Sequence, residues 1–132
     1  MPKIALAAKI ENLGEMFQFI RKAAQGQGFD DKKVNQIQLA CEESLVNVIN
    51  YAYPGESGDL EIDCNNKESG LEIVISDSGI PFDPLSLPEP DIHFPMEKRK
   101  IGGLGIFMLR KIMNEVKYSR EGDRNILTLI KY

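Results

Sequence analysis

The hydrophobic period of this chain changes near its middle, and that change limits the possible folds more than any other feature. Up to about residue 53, apolar side chains recur every three or four positions. Leu13, Met16, Phe17, Ile20, Ala23 and Ala24 predict an amphipathic helix over about 12–25, ended by Gly26 and Gly28. Val34, Ile37, Cys41, Leu45, Val48 and Ala52 predict a second helix. Asp30 or Asp31 can cap its start, and Pro54-Gly55 stops it after about Tyr53. From residue 59 the period is two. Leu60, Ile62 and Cys64 share one face of a strand over 59–65, and Leu71, Ile73 and Ile75 share one face of another over 70–77. The stretch 65–70 reads as the hairpin turn between them, and Lys3 to Ala8 is a further candidate strand. Five of the seven prolines (Pro81, Pro84, Pro88, Pro90, Pro95) fall in 78–101, too dense for a helix interior or a central strand. A loop of that length inside a compact domain is usually functional or disordered. Gly102-Gly103-Leu104-Gly105 then opens a helix to about Val116, apolar nearly all round and so expected to be largely buried. Glu121-Gly122-Asp123 turns the chain between final strands at about 116–120 and 125–131. Three helices on one face of a mostly antiparallel sheet make an α+β two-layer sandwich.

Composition narrows the function. The chain has 132 residues, 42% hydrophobic and 27% charged, with no repeat and no linker, so one domain over 1–132 is expected. A core of that size needs no disulfide or structural metal. A net charge of -4 argues against a general nucleic-acid binder, which needs a basic face. No apolar run approaches the ~18 residues of a membrane span, and no secretory leader is legible. Cys41 and Cys64 have no metal-ligand spacing and fall on apolar stripes. They read as reduced core residues of a cytoplasmic protein. With one histidine, His93, in the proline-rich loop, no hydrolase triad is supported.

Three constellations carry chemistry. Glu43, Asn47 and Asn50 share a helix face opposite the Val34/Cys41/Leu45 stripe. They are either a solvated face or a carboxylate base beside a carboxamide suited to Mg²⁺. Two asparagines in mid-helix, flanked by Leu39 and Val46, weaken the first reading. Asp77 ends the apolar row Leu71, Ile73, Ile75 and opens Asp77-Ser-Gly79-Ile-Pro-Phe82-Asp83-Pro84. It is either a turn aspartate bonding nearby N–H groups or a buried acceptor for a ligand amine, with Gly79 letting the backbone pass close to a flat ring. Gly102-Gly103-Leu104-Gly105 begins a helix, where free N–H groups favour an anion, or else a closely packed helix start. It is neither a Walker A loop nor a dinucleotide fingerprint. Lys98-Arg99-Lys100, just before it, is solvated surface or a phosphate contact.

In this order, the three resemble the nucleotide-binding boxes of the GHKL (Bergerat-fold) ATPases. More narrowly, Ala40–Tyr53 and Gly102–Val116 are similar to the bacterial anti-sigma-factor serine/threonine kinases. The resemblance covers essentially the whole chain. It implies Glu43 as general base, Asn47 on Mg²⁺, Asp77 accepting from the adenine amine, and Gly79 beside the base. It further implies nucleotide contacts from Phe82, Arg99, Gly102, Gly103, Leu104 and Gly105, with 85–101 as the ATP lid. The implied ligands are ATP and Mg²⁺. The implied partners are a STAS-domain anti-anti-sigma protein as substrate, a sigma factor, and a second copy of the chain. Two departures stand out. Many relatives have His where this chain has Tyr51, and relatives often begin the last strand Gly-Thr where it reads Asn125-Ile126. The alternative is a module that binds ATP and sequesters a partner without significant phosphotransfer.

Overall fold

A computed structural model of the chain describes residues 2–83 and 103–132, the side chains of the second part from residue 107 onward. His93, Lys98, Arg99, Lys100 and Gly102 lie outside the described residues. The elements run β1 (Lys3–Ala7), α1 (Leu13–Gly26), α2 (Asp31–Asn47), β2 (Asp59–Lys67), β3 (Gly70–Asp77), α3 (Gly103–Ile112), β4 (Glu115–Glu121) and β5 (Arg124–Lys131). The five strands form one sheet in the order β1-β2-β3-β5-β4, every pairing antiparallel.

Register carries the period of two across the sheet. Ile62 lies opposite Ile75 and Cys64 opposite Ile73. Ile73 and Ile75 lie opposite Leu129 and Leu127 on the other side. All of these are buried, and Met16, Ile20, Val34, Ile37, Cys41 and Leu45 of the helices pack on them. The sandwich is therefore the α+β arrangement that the two periods predict. Both cysteines are free and buried. Burial pushes the Cys64 thiol up to about 12 and Cys41 higher still, so both stay protonated and inert.

Three boundaries differ from the sequence reading. The 65–70 turn shrinks to Glu68-Ser69, because β2 runs on to Lys67, paired with Gly70. Asn66 stays in the strand because its Nδ2 donates to Ala23 O (3.0 Å) and Gln27 Oε1 (2.8 Å) at the end of α1. The third helix stops at Ile112, not Val116. Asn114 N donates to Ile130 O (2.9 Å), and Glu115 and Val116 pair at once with Ile130 and Leu129. That helix is also less enclosed than its composition predicts. Leu109 and Met113 are buried, but Phe107, Met108 and Ile112 are only partly so. Finally, α2 ends in a π-helical turn, Val48–Ala52. Hydrophobic spacing cannot distinguish such a turn from the helix it continues.

Candidate functional site

The Asp30 side chain starts α2 by accepting from Lys33 N (2.9 Å), so Asp30 and not Asp31 is the cap. Fourteen residues on, Ser44 and Asn47 lie on the flank of the helix that turns toward the end of β3. The π turn that follows widens the helix, a distortion found often at functional sites. It delivers the carbonyl of Ala52 to the chain leaving β3, where Ile80 N donates to it (2.9 Å). Gly79 packs so closely here that a Cβ would overlap the Ala52 carbonyl oxygen and Cβ. The close approach expected of Gly79 toward a ligand ring is thus made first to the helix end.

Asp77 ends β3 on the core face, as period two predicts, between Leu60 and Asn125. It is 4% exposed. Its Oδ1 accepts from Gly79 N (2.8 Å) and Asn125 Nδ2 (3.0 Å). The turn reading of this residue therefore holds, and the carboxylate also lines a pocket. The turn after it is held at each backbone group in succession. Ser78 N donates to Tyr53 Oη (2.8 Å), Arg120 Nη1 donates to Gly79 O (2.8 Å), and Asn125 Nδ2 donates to Ile80 O (2.8 Å). The Asn125 carboxamide oxygen accepts from Tyr118 Oη (2.6 Å) and Phe82 N (3.3 Å).

The pocket is a cleft partly open to solvent. Val48, Ala52, Ile75, Ile80, Phe82 and Leu127 give it apolar walls. Ser44, Asn47, Tyr51, Asp77, Tyr118 and Asn125 supply its polar groups. Apolar walls with a few convergent polar groups are the usual form of a small-molecule site. Two of those groups are unsatisfied: Ser44 Oγ and Asn47 Nδ2 are buried without a hydrogen-bond partner among the described residues. The solvated-face reading of the helix therefore fails at Asn47, which is 7% exposed, and holds at Asn50, which is exposed. Leu39, which was expected to help cover that face, is itself exposed.

Glu43 lies one turn before Asn47 and is half-buried, outside the lining of the cleft. Burial, and then the neighbouring Glu42, raise its pKa above the ordinary glutamate value. Gly103, Leu104 and Gly105 form the first turn of α3, which packs against α2. The sequence patterns above give no role to Ser44 or Tyr118, and Asn125 enters them only as a departure. The signals were present. Ser44 interrupts an apolar row Ile37, Cys41, Ser44, Val48, and Asn125 begins the core-facing row Asn125, Leu127, Leu129.

The described residues contain no group of three or more His, Cys, Asp and Glu that could cage a metal ion. Among them, no helix is long and apolar enough to cross a membrane.

The histidine kinase-like ATPase domain family matches residues 6–131. The chain belongs to that family. Among curated relatives, it is 28% identical to the serine-protein kinase RsbW of Oceanobacillus iheyensis over 124 residues, 90% of this chain and 78% of the relative. It is 30% identical to that of Listeria monocytogenes over 107 residues, 76% of this chain and 68% of the relative. Among solved structures, it is similar to the histidine kinase domain from the Erythrobacter litoralis EL346 blue-light activated histidine kinase. There the TM-score is 0.57 and the identity 17%, over 90% of this chain and 60% of that one. It is also similar to the Acinetobacter baumannii histidine kinase AdeS, with TM-score 0.53 and identity 15%, over 99% of this chain and 68% of that one. At those identities the two structures show the shared fold. The anti-sigma-factor kinase resemblance seen in the sequence agrees with the named relatives.

Proposed function

We propose that this chain is an ATP- and Mg²⁺-dependent serine/threonine protein kinase and anti-sigma factor. Its substrate is a STAS-domain anti-anti-sigma protein, and it exchanges that partner for a sigma factor. The observation that carries the nucleotide reading is the buried carboxylate of Asp77, held by Gly79 N and Asn125 against an apolar cleft. A carboxylate fixed there accepts from the exocyclic amine of adenine. Phe82 and Ile80, which line the same cleft, would flank the base.

The Asn47 carboxamide fits Mg²⁺ in the way such sites usually work. It offers one hard oxygen that would reach the cation, and its nitrogen, without a hydrogen-bond partner among the described residues, would be left to donate to a ligand oxygen. Bound with nucleotide phosphates, Mg²⁺ would neutralise their charge. Gly103, Leu104 and Gly105, at the N-terminus of α3, would present the helix's first N–H groups to the same phosphates, and Gly102 and Arg99 precede them in the sequence. Glu43 is the base. It takes the proton of the substrate hydroxyl as that oxygen bonds to the γ-phosphorus and the bond to the ADP oxygen breaks. The raised pKa of Glu43 makes it a stronger acceptor than an exposed glutamate.

The test is transfer of labelled γ-phosphate to purified STAS-domain proteins by wild type and Glu43→Gln. General-base loss should cost transfer about 100-fold or more, while ADP affinity stays within about twofold. Transfer by the wild type should also fade on the acid side at a pH above that of an ordinary glutamate, because only ionised Glu43 accepts the proton. Full ATP binding without labelling of any STAS protein would replace this reading with that of a binding module that sequesters its partner.

A further inference from the structure

The polar groups of the pocket can be accounted for one by one. Both hydrogens of Asn125 Nδ2 are used, on Asp77 and Ile80 O. Its oxygen accepts two bonds, one of them from the Tyr118 hydroxyl. Asp77 only accepts. Tyr51 sits at the rim, 45% exposed. Two buried donors then remain, Ser44 Oγ and Asn47 Nδ2, neither with a partner among the described residues. Ser44 and Asp77, each 4% exposed, are the two least exposed polar residues that line the cleft. A buried hydroxyl without a partner is costly, and serine at this position is surrounded by an otherwise apolar helix stripe.

We infer that Ser44 is a base-reading residue: its hydroxyl donates to the ring nitrogen beside the amine that Asp77 receives. The inference rests on the nucleotide reading above and extends it to specificity. An acceptor next to a donor complements the edge of adenine, which carries an amine next to an unprotonated ring nitrogen. Guanine offers the reverse, a carbonyl beside an N–H, and would set its carbonyl oxygen against the Asp77 carboxylate. The helix wall therefore contributes to base selection as well as to metal and phosphate binding.

The experiment is calorimetric titration of ADP and of 1-deaza-ADP, which lacks that ring nitrogen, into wild type and Ser44→Ala, with a thermal melt of each protein alone. Wild type should bind ADP about tenfold more tightly than the deaza analogue, the worth of one buried neutral hydrogen bond. Ser44→Ala should bind ADP about tenfold more weakly than wild type and bind the analogue unchanged. Its own melting temperature should hold or rise, since an unpaired buried hydroxyl is gone. Equal ADP affinity in the two proteins would overturn the assignment, and so would an equal loss for both ligands, which would mean altered packing. Failure of the wild type to bind ADP at all would instead overturn the nucleotide reading on which this one stands.

Discussion

The two walls of the pocket differ in how their polar groups are satisfied. On the sheet side, Asp77, Asn125, Tyr118 and the 78–82 backbone form a closed network in which the Asn125 carboxamide alone takes part in four bonds. On the helix side, Ser44 and Asn47 are as well buried, but Ser44 Oγ and Asn47 Nδ2 have no hydrogen-bond partner among the described residues. A protein gains nothing from orphaned groups by folding, which is why we propose that the helix wall receives a ligand. The sheet wall, by contrast, fixes its acceptor before any ligand comes. One wall is preorganised and the other awaits completion, which is how a site binds tightly without reorganising.

Substitutions on the sheet wall should destabilise the empty protein, and those on the helix wall should not. The largest effect is expected at Gly79→Ala. The added methyl would overlap Ala52 and break the seam between the π turn and the chain leaving β3. Denaturant unfolding should show a loss of about 3 kcal/mol. Asn125→Ala removes the centre of the network and leaves Asp77, Ile80 O and the Tyr118 hydroxyl short of partners. It should cost about 2 kcal/mol and weaken ADP binding as Asp77 loses its orientation. The smallest effect is Tyr118→Phe, which deletes one hydrogen bond and should cost about 1 kcal/mol by the same measurement. If these three changes leave the melting curve as wild type, the preorganised wall does not exist.

Much of this was legible in the sequence, for definite physical reasons. Strict alternation put Asp77 on the core face with Ile73 and Ile75, because a pleated strand leaves no other choice. The helical stripe and the Asp30 cap located α2 for the same kind of reason. The burial of Asn47 was harder to see. It depends on the rest of the fold closing around the helix, and no helical period reports that. The π turn was invisible because it preserves the apolar character of Val48 and Ala52 while changing only the hydrogen bonding. The end of α3 was misread because Val116 suits a helix and a strand equally. Pairing with Leu129 decided the matter.

The account rests centrally on Asp77 as the acceptor for a purine amine. Calorimetric titration of ADP and ATP, with and without Mg²⁺, into wild type and Asp77→Asn tests it most directly. Wild type should bind both nucleotides, ATP more tightly with Mg²⁺. Asp77→Asn should keep the fold, since the carboxamide oxygen can still accept from Gly79 N, yet lose nucleotide affinity about 100-fold or more as an amide donor meets the base amine. Nucleotide binding undiminished in Asp77→Asn would contradict the account.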